Sequence, residues 1–204
     1  MPAIYSSWAR GTTHAPANNT LVLGTPVYTA DFSTITSNST ATLRSAMVVV
    51  GMIVKNSGAA VLYPKHLCIW KTGCTGTEVN GRICTTAGQA AGFVDEHVVS
   101  TGVPVSDNFL LIVNGPCLGV TDLAGGANNL IPAESELYGL TAATSNATTS
   151  GRVYPLDGTF TATQTTDGTA AKVALNRVGR AISAKTTGQT NGDIYLYAML
   201  QVRP

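Results

Sequence analysis

Ala90-Ala91-Gly92-Phe93-Val94-Asp95-Glu96-His97-Val98-Val99-Ser100-Thr101-Gly102-Val103-Pro104-Val105 and, shortly after, Phe109-Leu110-Leu111-Ile112-Val113-Asn114-Gly115-Pro116-Cys117-Leu118-Gly119-Val120-Thr121 form the most strongly patterned part of the chain. Apolar runs of strand length are separated by an acidic corner at Asp95-Glu96 and a glycine turn at Gly102. The second run reads as a buried strand, a Gly-Pro bend and a further strand. Pro116 has no amide to give a ladder, so it belongs at a bend or a sheet edge.

The same grammar extends in both directions. Ser45-Ala46-Met47-Val48-Val49-Val50-Gly51-Met52-Ile53-Val54 reads as a buried strand and Lys55-Asn56-Ser57-Gly58 as a turn. Ala59-Ala60-Val61-Leu62-Tyr63 then starts a return strand, which predicts a hairpin. Downstream, Thr159 to Thr165 alternates with period two, and a short helix is expected around Ala133 to Tyr138. Val178 to Lys185 reads as a strand, Gly188 to Asp193 as a turn carrying the Asn191-Gly192 signal, and Ile194 to Val202 as the last strand. Loop insertions are expected at about 64–88 and 124–151.

Residues 1–44 look different. Asn18-Asn19-Thr20 and Ser33 to Thr40 are small and polar, with little apolar periodicity. Such a segment needs a surface to order it, which suggests an extended N-terminal arm on a neighbouring subunit, with the β domain spanning 45–204. The alternative is a strand packed on its own domain. Tyr5 and Trp8 are candidate anchors, because aromatic side chains give large contact area at low entropic cost. Arg10 in the arm and Arg180 near the end complete the interface candidates by residue type. Removal of residues 1–20 is expected to leave a folded core and weaken attachment.

Composition supports an all-β chain. The 204 residues include 29 threonines and 21 glycines, so branched strand formers and turn formers dominate. Hydrophobic residues make up 44% and charged residues only 11%, against about 25% charged in typical soluble domains. So little charge suggests that other protein covers much of the surface. The net charge of +1 leaves no electrostatic footprint for nucleic acid or an anionic membrane. No stretch reaches membrane-spanning length and no secretory signal is visible at Met1-Pro2-Ala3-Ile4-Tyr5. A protein made in the cytoplasm, and left or assembled there, fits these features.

No catalytic pattern emerges, and we expect no enzyme and no cofactor. There is no G-x-S-x-G elbow, no phosphate-binding loop and no dinucleotide fingerprint. His97 beside Asp95-Glu96 reads as a solvated corner rather than an acid–base or metal site. His66 beside Cys68 is a weak metal candidate. Cys68, Cys74, Cys84 and Cys117 lack the short C-x2-4-C pairs usual in structural zinc sites. They fit buried thiols in a reducing compartment, with a Cys68–Cys74 or Cys74–Cys84 disulfide as the alternative. Asp157, Asp167 and Asp193 sit beside glycines and read as turn residues.

Two phrases carry a family resemblance. One is Gly92-Phe93-Val94-Asp95-Glu96 with Phe109 to Val113 and Asn114-Gly115-Pro116-Cys117. The other is Val178-Gly179-Arg180-Ala181-Ile182-Ser183-Ala184 with Ile194 to Val202. Together they resemble the capsid decoration (cement) proteins of tailed bacteriophages. That resemblance implies a small barrel or sandwich of short antiparallel strands on the exterior of a virion. It implies binding to the major capsid protein outside the mature head lattice, stabilisation of contacts between capsomers, and self-association, in many relatives as trimers. The competing expectation is a phage tail, fibre or head-spike protein that contacts a host surface.

Overall fold

The computed structural model describes residues 10–11, 13–14, 22–35, 41–71, 77–79, 90–120, 133–134, 136–139, 153–155, 177–184 and 191–197. These residues are all-β, with no helix among them. Eleven strands are described: β1 (Thr13–His14), β2 (Pro26–Ile35), β3 (Ala41–Asn56), β4 (Leu67–Ile69), β5 (Glu78–Val79), β6 (Ala90–Val94), β7 (Asn108–Val120), β8 (Glu136–Gly139), β9 (Val153–Pro155), β10 (Arg177–Ala181) and β11 (Asn191–Leu196).

Strand β7 organises the sheet. Its first half pairs with β3, from Lys55↔Asn108 to Val50↔Asn114. On its other side lie β6, through Phe93↔Ile112 and Val94↔Leu111, and β1, through Thr13↔Phe109. At Gly115 the partner changes, and Gly115 to Val120 pairs with β11. Gly115 has φ +95°, and a Cβ there would lie 2.4 Å from the Val48 carbonyl oxygen, so only glycine fits this crossing point. The expected Gly-Pro bend is therefore a partner switch inside an unbroken strand. Backbone groups alternate between the two edges of a strand. The amides of Leu118 and Val120 leave the β11 ladder for the Glu96 carboxylate and the Lys65 carbonyl. Pro116 shares that edge, so its missing amide costs the β11 ladder nothing.

The strands follow the order β2-β3-β7-β11-β10-β8-β9, with β4 on β6 and a two-residue parallel contact of β5 with β3. Among the described residues β2 and β9 end this path without meeting, so the barrel alternative is replaced by an open antiparallel arrangement. It folds over one apolar cluster that includes Val49, Ile53, Leu67, Phe93, Phe109, Leu110, Leu137, Val178, Ile194 and Leu196. Each such side chain contributes about 1.5–3 kcal/mol by leaving water.

Several sequence expectations change. The turn expected at 55–58 comes later, because Lys55 and Asn56 still belong to β3 and the chain bends at 58–60, and 59–63 does not return along β3. Asn56 is buried instead, its amide nitrogen donating to the carbonyls of Ala60, Val103 and Pro104, and Leu62 bridges Val103. The true partner of β3 on its other edge is β2, from Pro26↔Met52 to Ile35↔Ala41. Residues 26–35, expected in an irregular arm, are thus a strand on their own domain, as the alternative reading had it. The helix expected at 133–138 is a turn at Ala133-Glu134 followed by β8, which pairs with both β9 and β10. Asn191-Gly192 is not a turn but the first pair of β11, opposite Val120 and Gly119. Long-range pairing overrode the local turn preference. The insertions at 64–88 and 124–151 carry β4, β5 and β8. The alternating stretch 159–165 lies outside the described residues.

Candidate functional site

The corner after β6 is not solvated. Asp95 is fully buried, and the Glu96 side chain is 3% exposed. A charge buried this deeply needs a partner of opposite sign and several hydrogen bonds. Asp95 has both. Arg10 grips it with Nη2 at 2.7 Å and Nε at 3.2 and 3.3 Å from the two carboxylate oxygens. The Gly11 amide donates to it at 2.9 Å and the His97 amide at 3.3 Å.

A second guanidinium continues the network. Arg44 on β3 binds Asp31 of β2 through Nη2 and through Nε at 3.2 Å, and reaches Glu96 through Nη1 at 3.1 Å. Ser45 donates its hydroxyl to Asp31 at 2.7 Å, and the Leu118 amide donates to Glu96 at 2.9 Å. Burial works to lower the Arg44 pKa, but the hydrogen bond that Arg44 donates to Asp31 and the charges of Glu96 and Asp31 outweigh it and raise the pKa.

The network occupies the edge of β2 away from β3, which has no strand partner among the described residues. Arg10 Nη1 donates to the Ala30 carbonyl at 3.3 Å. The His97 ring lies 3.2 Å through Nε2 from the Phe32 carbonyl. A carbonyl only accepts, so Nε2 carries the hydrogen. Side chains from the β6–β7 turn and the segment before β1 thus take the place of a neighbouring strand. We call this region the seam.

Beside the seam the surface turns apolar. The register of β2 and β3 slips between Ala30↔Val48 and Asp31↔Ser45, which leaves Ala46 and Met47 as a bulge. Bulges re-aim side chains. Met47 here lines a cleft of about 170 Å³ with Ile182, Pro116 and Cys117, and with Asp31, Arg44, Ser45 and Asp193. Tyr28, Leu43, Met47 and Val48 are all exposed, at 59%, 60%, 48% and 58%.

Of the interface candidates, Arg10 is 7% exposed and bound to Asp95. It is buried within its own chain because Asp95 needs it. Arg180 is exposed, ion-paired to Glu134 at 2.6 Å and lying 5.9 Å from the Tyr195 ring centre. Tyr5 and Trp8 lie outside the described residues. Sequence reading missed Asp31 and Arg44, and took Asp95-Glu96 for a solvated corner. The available signal was that so charge-poor a chain places acids and arginines near its apolar runs.

The chemistry of the seam is internal. Its carboxylates are bound by guanidinium groups. Ser45 gives its hydrogen to Asp31, and His97 gives its own to Phe32, so no nucleophile–base pair is formed there. Among the described residues no group of three or more His, Cys, Asp and Glu side chains is placed to hold a metal. Cys68 Sγ lies 3.9 Å from the His66 carbonyl. Cys117 is buried, and burial first, with the Glu96 charge second, pushes its thiol pKa well up. Cys74 and Cys84 lie outside the described residues. No helix among the described residues is long and apolar enough to cross a membrane. No protein-family model and no curated protein matches the chain.

Proposed function

We propose that this chain is a capsid cement protein, binding the outside of a mature phage head and tying neighbouring capsomers together. The observation that carries this reading is the apolar exterior of the β2–β3 ribbon, where Tyr28, Leu43, Met47 and Val48 face solvent in a chain with only 11% charged residues. Four large apolar side chains exposed on one two-stranded ribbon are what a surface built to contact protein would present. The decoration-protein phrases around Gly92 and Val178 supply the choice of partner, the major capsid protein. Self-association at symmetric lattice positions would let each modest interface act many times over. The seam suits this role, because it holds the ribbon rigidly and lowers the entropic cost of docking.

Quantitative mass spectrometry of purified virions tests the proposal. About one copy per major capsid protein is expected, since cement sites repeat with the lattice. A few copies per hundred would replace it with a tail, fibre or spike role, and absence from virions would end both readings.

A further inference from the structure

His97 sits where three parts of the seam meet. Its amide donates to Asp95, its ring to the Phe32 carbonyl of β2, and its backbone supports Gly11. The contact with Gly11 is tight enough that a Cβ there would lie 2.5 Å from the His97 carbonyl oxygen. The ring is 12% exposed, so protons from solvent can reach it.

We propose that the seam is an acid-opened latch, in which protonation of His97 releases the Arg10–Gly11 segment and the edge of β2 from the β6–β7 turn while β7 stays paired.

The charged groups around His97, among the described residues, come from every element packed on it. Arg10 approaches from the segment before β1. Asp95 and Glu96 belong to its own turn, with Glu96 Oε1 at 3.5 Å from Nε2. Arg44 of β3 and Asp31 of β2 stand behind Glu96. Burial first, and the Arg10 charge second, hold the His97 pKa below its ordinary value, against the opposing pull of Asp95 and Glu96. Once the seam opens, the ring is hydrated and its pKa returns towards about 6.5. The open form therefore binds the proton more tightly than the closed form, and acid favours opening. A released His97 also gives up the Phe32 carbonyl and loosens the edge of β2.

Amide hydrogen exchange on the full chain, corrected for the intrinsic effect of pH, tests the latch. Between pH 7.5 and 5.5, opening of 10–14 and 26–35 is expected to rise several-fold, at most about tenfold per pH unit for a single proton. Residues 108–114 should not change. His97→Gln keeps an N–H donor and cannot become charged, so its opening should be flat over this range. Equal opening at both pH values, or an unchanged response in H97Q, overturns the proposal. NMR titration of the His97 ring in the unmodified protein is a second check: a midpoint below the ordinary histidine value is expected, and one at or above it overturns the latch.

Discussion

Arg10 and Asp95 are 85 positions apart in sequence and form a bidentate ion pair at 2.7 Å, with side chains 3% and 0% exposed. Removing one partner leaves the other charge buried and alone. Arg10→Ala should therefore destabilise the protein by about 3–5 kcal/mol in urea unfolding. Replacing the pair together, as Arg10→Met with Asp95→Leu, should recover part of that loss. A loss below about 1 kcal/mol for the single variant, the range of exposed pairs, would show that the pair is hydrated.

This pair changes the expectation for truncation. A chain shortened by residues 1–20 loses Arg10 and β1, and should unfold at a urea concentration close to that of Arg10→Ala or lower. A chain shortened only to residue 9 keeps the clasp and should retain nearly full stability. Equal midpoints for both truncations would contradict the anchoring role of Arg10.

Gly92 has φ +150°, and a Cβ there would lie 2.2 Å from the Ile112 carbonyl oxygen. Gly92→Ala must push β6 away from β7. We expect a cost of about 1–3 kcal/mol, from strain and lost packing. Thermal unfolding measures it, and an unchanged midpoint would contradict the close β6–β7 approach.

Cys117 is 2% exposed, and its thiol is held protonated by burial. The thiolate is the reactive form. Alkylation at pH 8 followed by peptide mapping should leave Cys117 unlabelled in the folded protein and labelled after urea. Rapid labelling of the native chain would mean that the β7–β11 region opens readily.

How much of this was legible beforehand follows from the range of the forces involved. Strand β6 and the first half of β7 could be read because their apolar runs are local, whereas Asn114-Gly115-Pro116 looked like a bend and hid the continuity of β7. Strand β2 could not. Its inward side carries Val27 and also Asp31, and a buried carboxylate breaks the apolar alternation that marks a strand. What licenses Asp31 is Arg44, 13 residues further on, and what licenses Asp95 is Arg10, 85 residues back. No local window contains both Arg10 and Asp95, so Asp95-Glu96-His97 looked like a solvated corner. Asn191-Gly192 failed for a related reason. Its turn preference is local, and the ladder with Gly119 and Val120 outweighed it.

The central claim is that the exposed ribbon of β2 and β3 docks on a capsid. Its most direct test is co-sedimentation of the purified chain with mature heads of its phage stripped of this protein, comparing the native chain with Leu43→Asp/Val48→Asp. Both positions are exposed, so the variant should keep its unfolding free energy within about 0.5 kcal/mol. The account expects saturable binding of the native chain and a loss of at least about tenfold in affinity for the variant, as buried apolar contacts become charged. Undiminished binding by the folded variant, or no binding by the native chain, would contradict it.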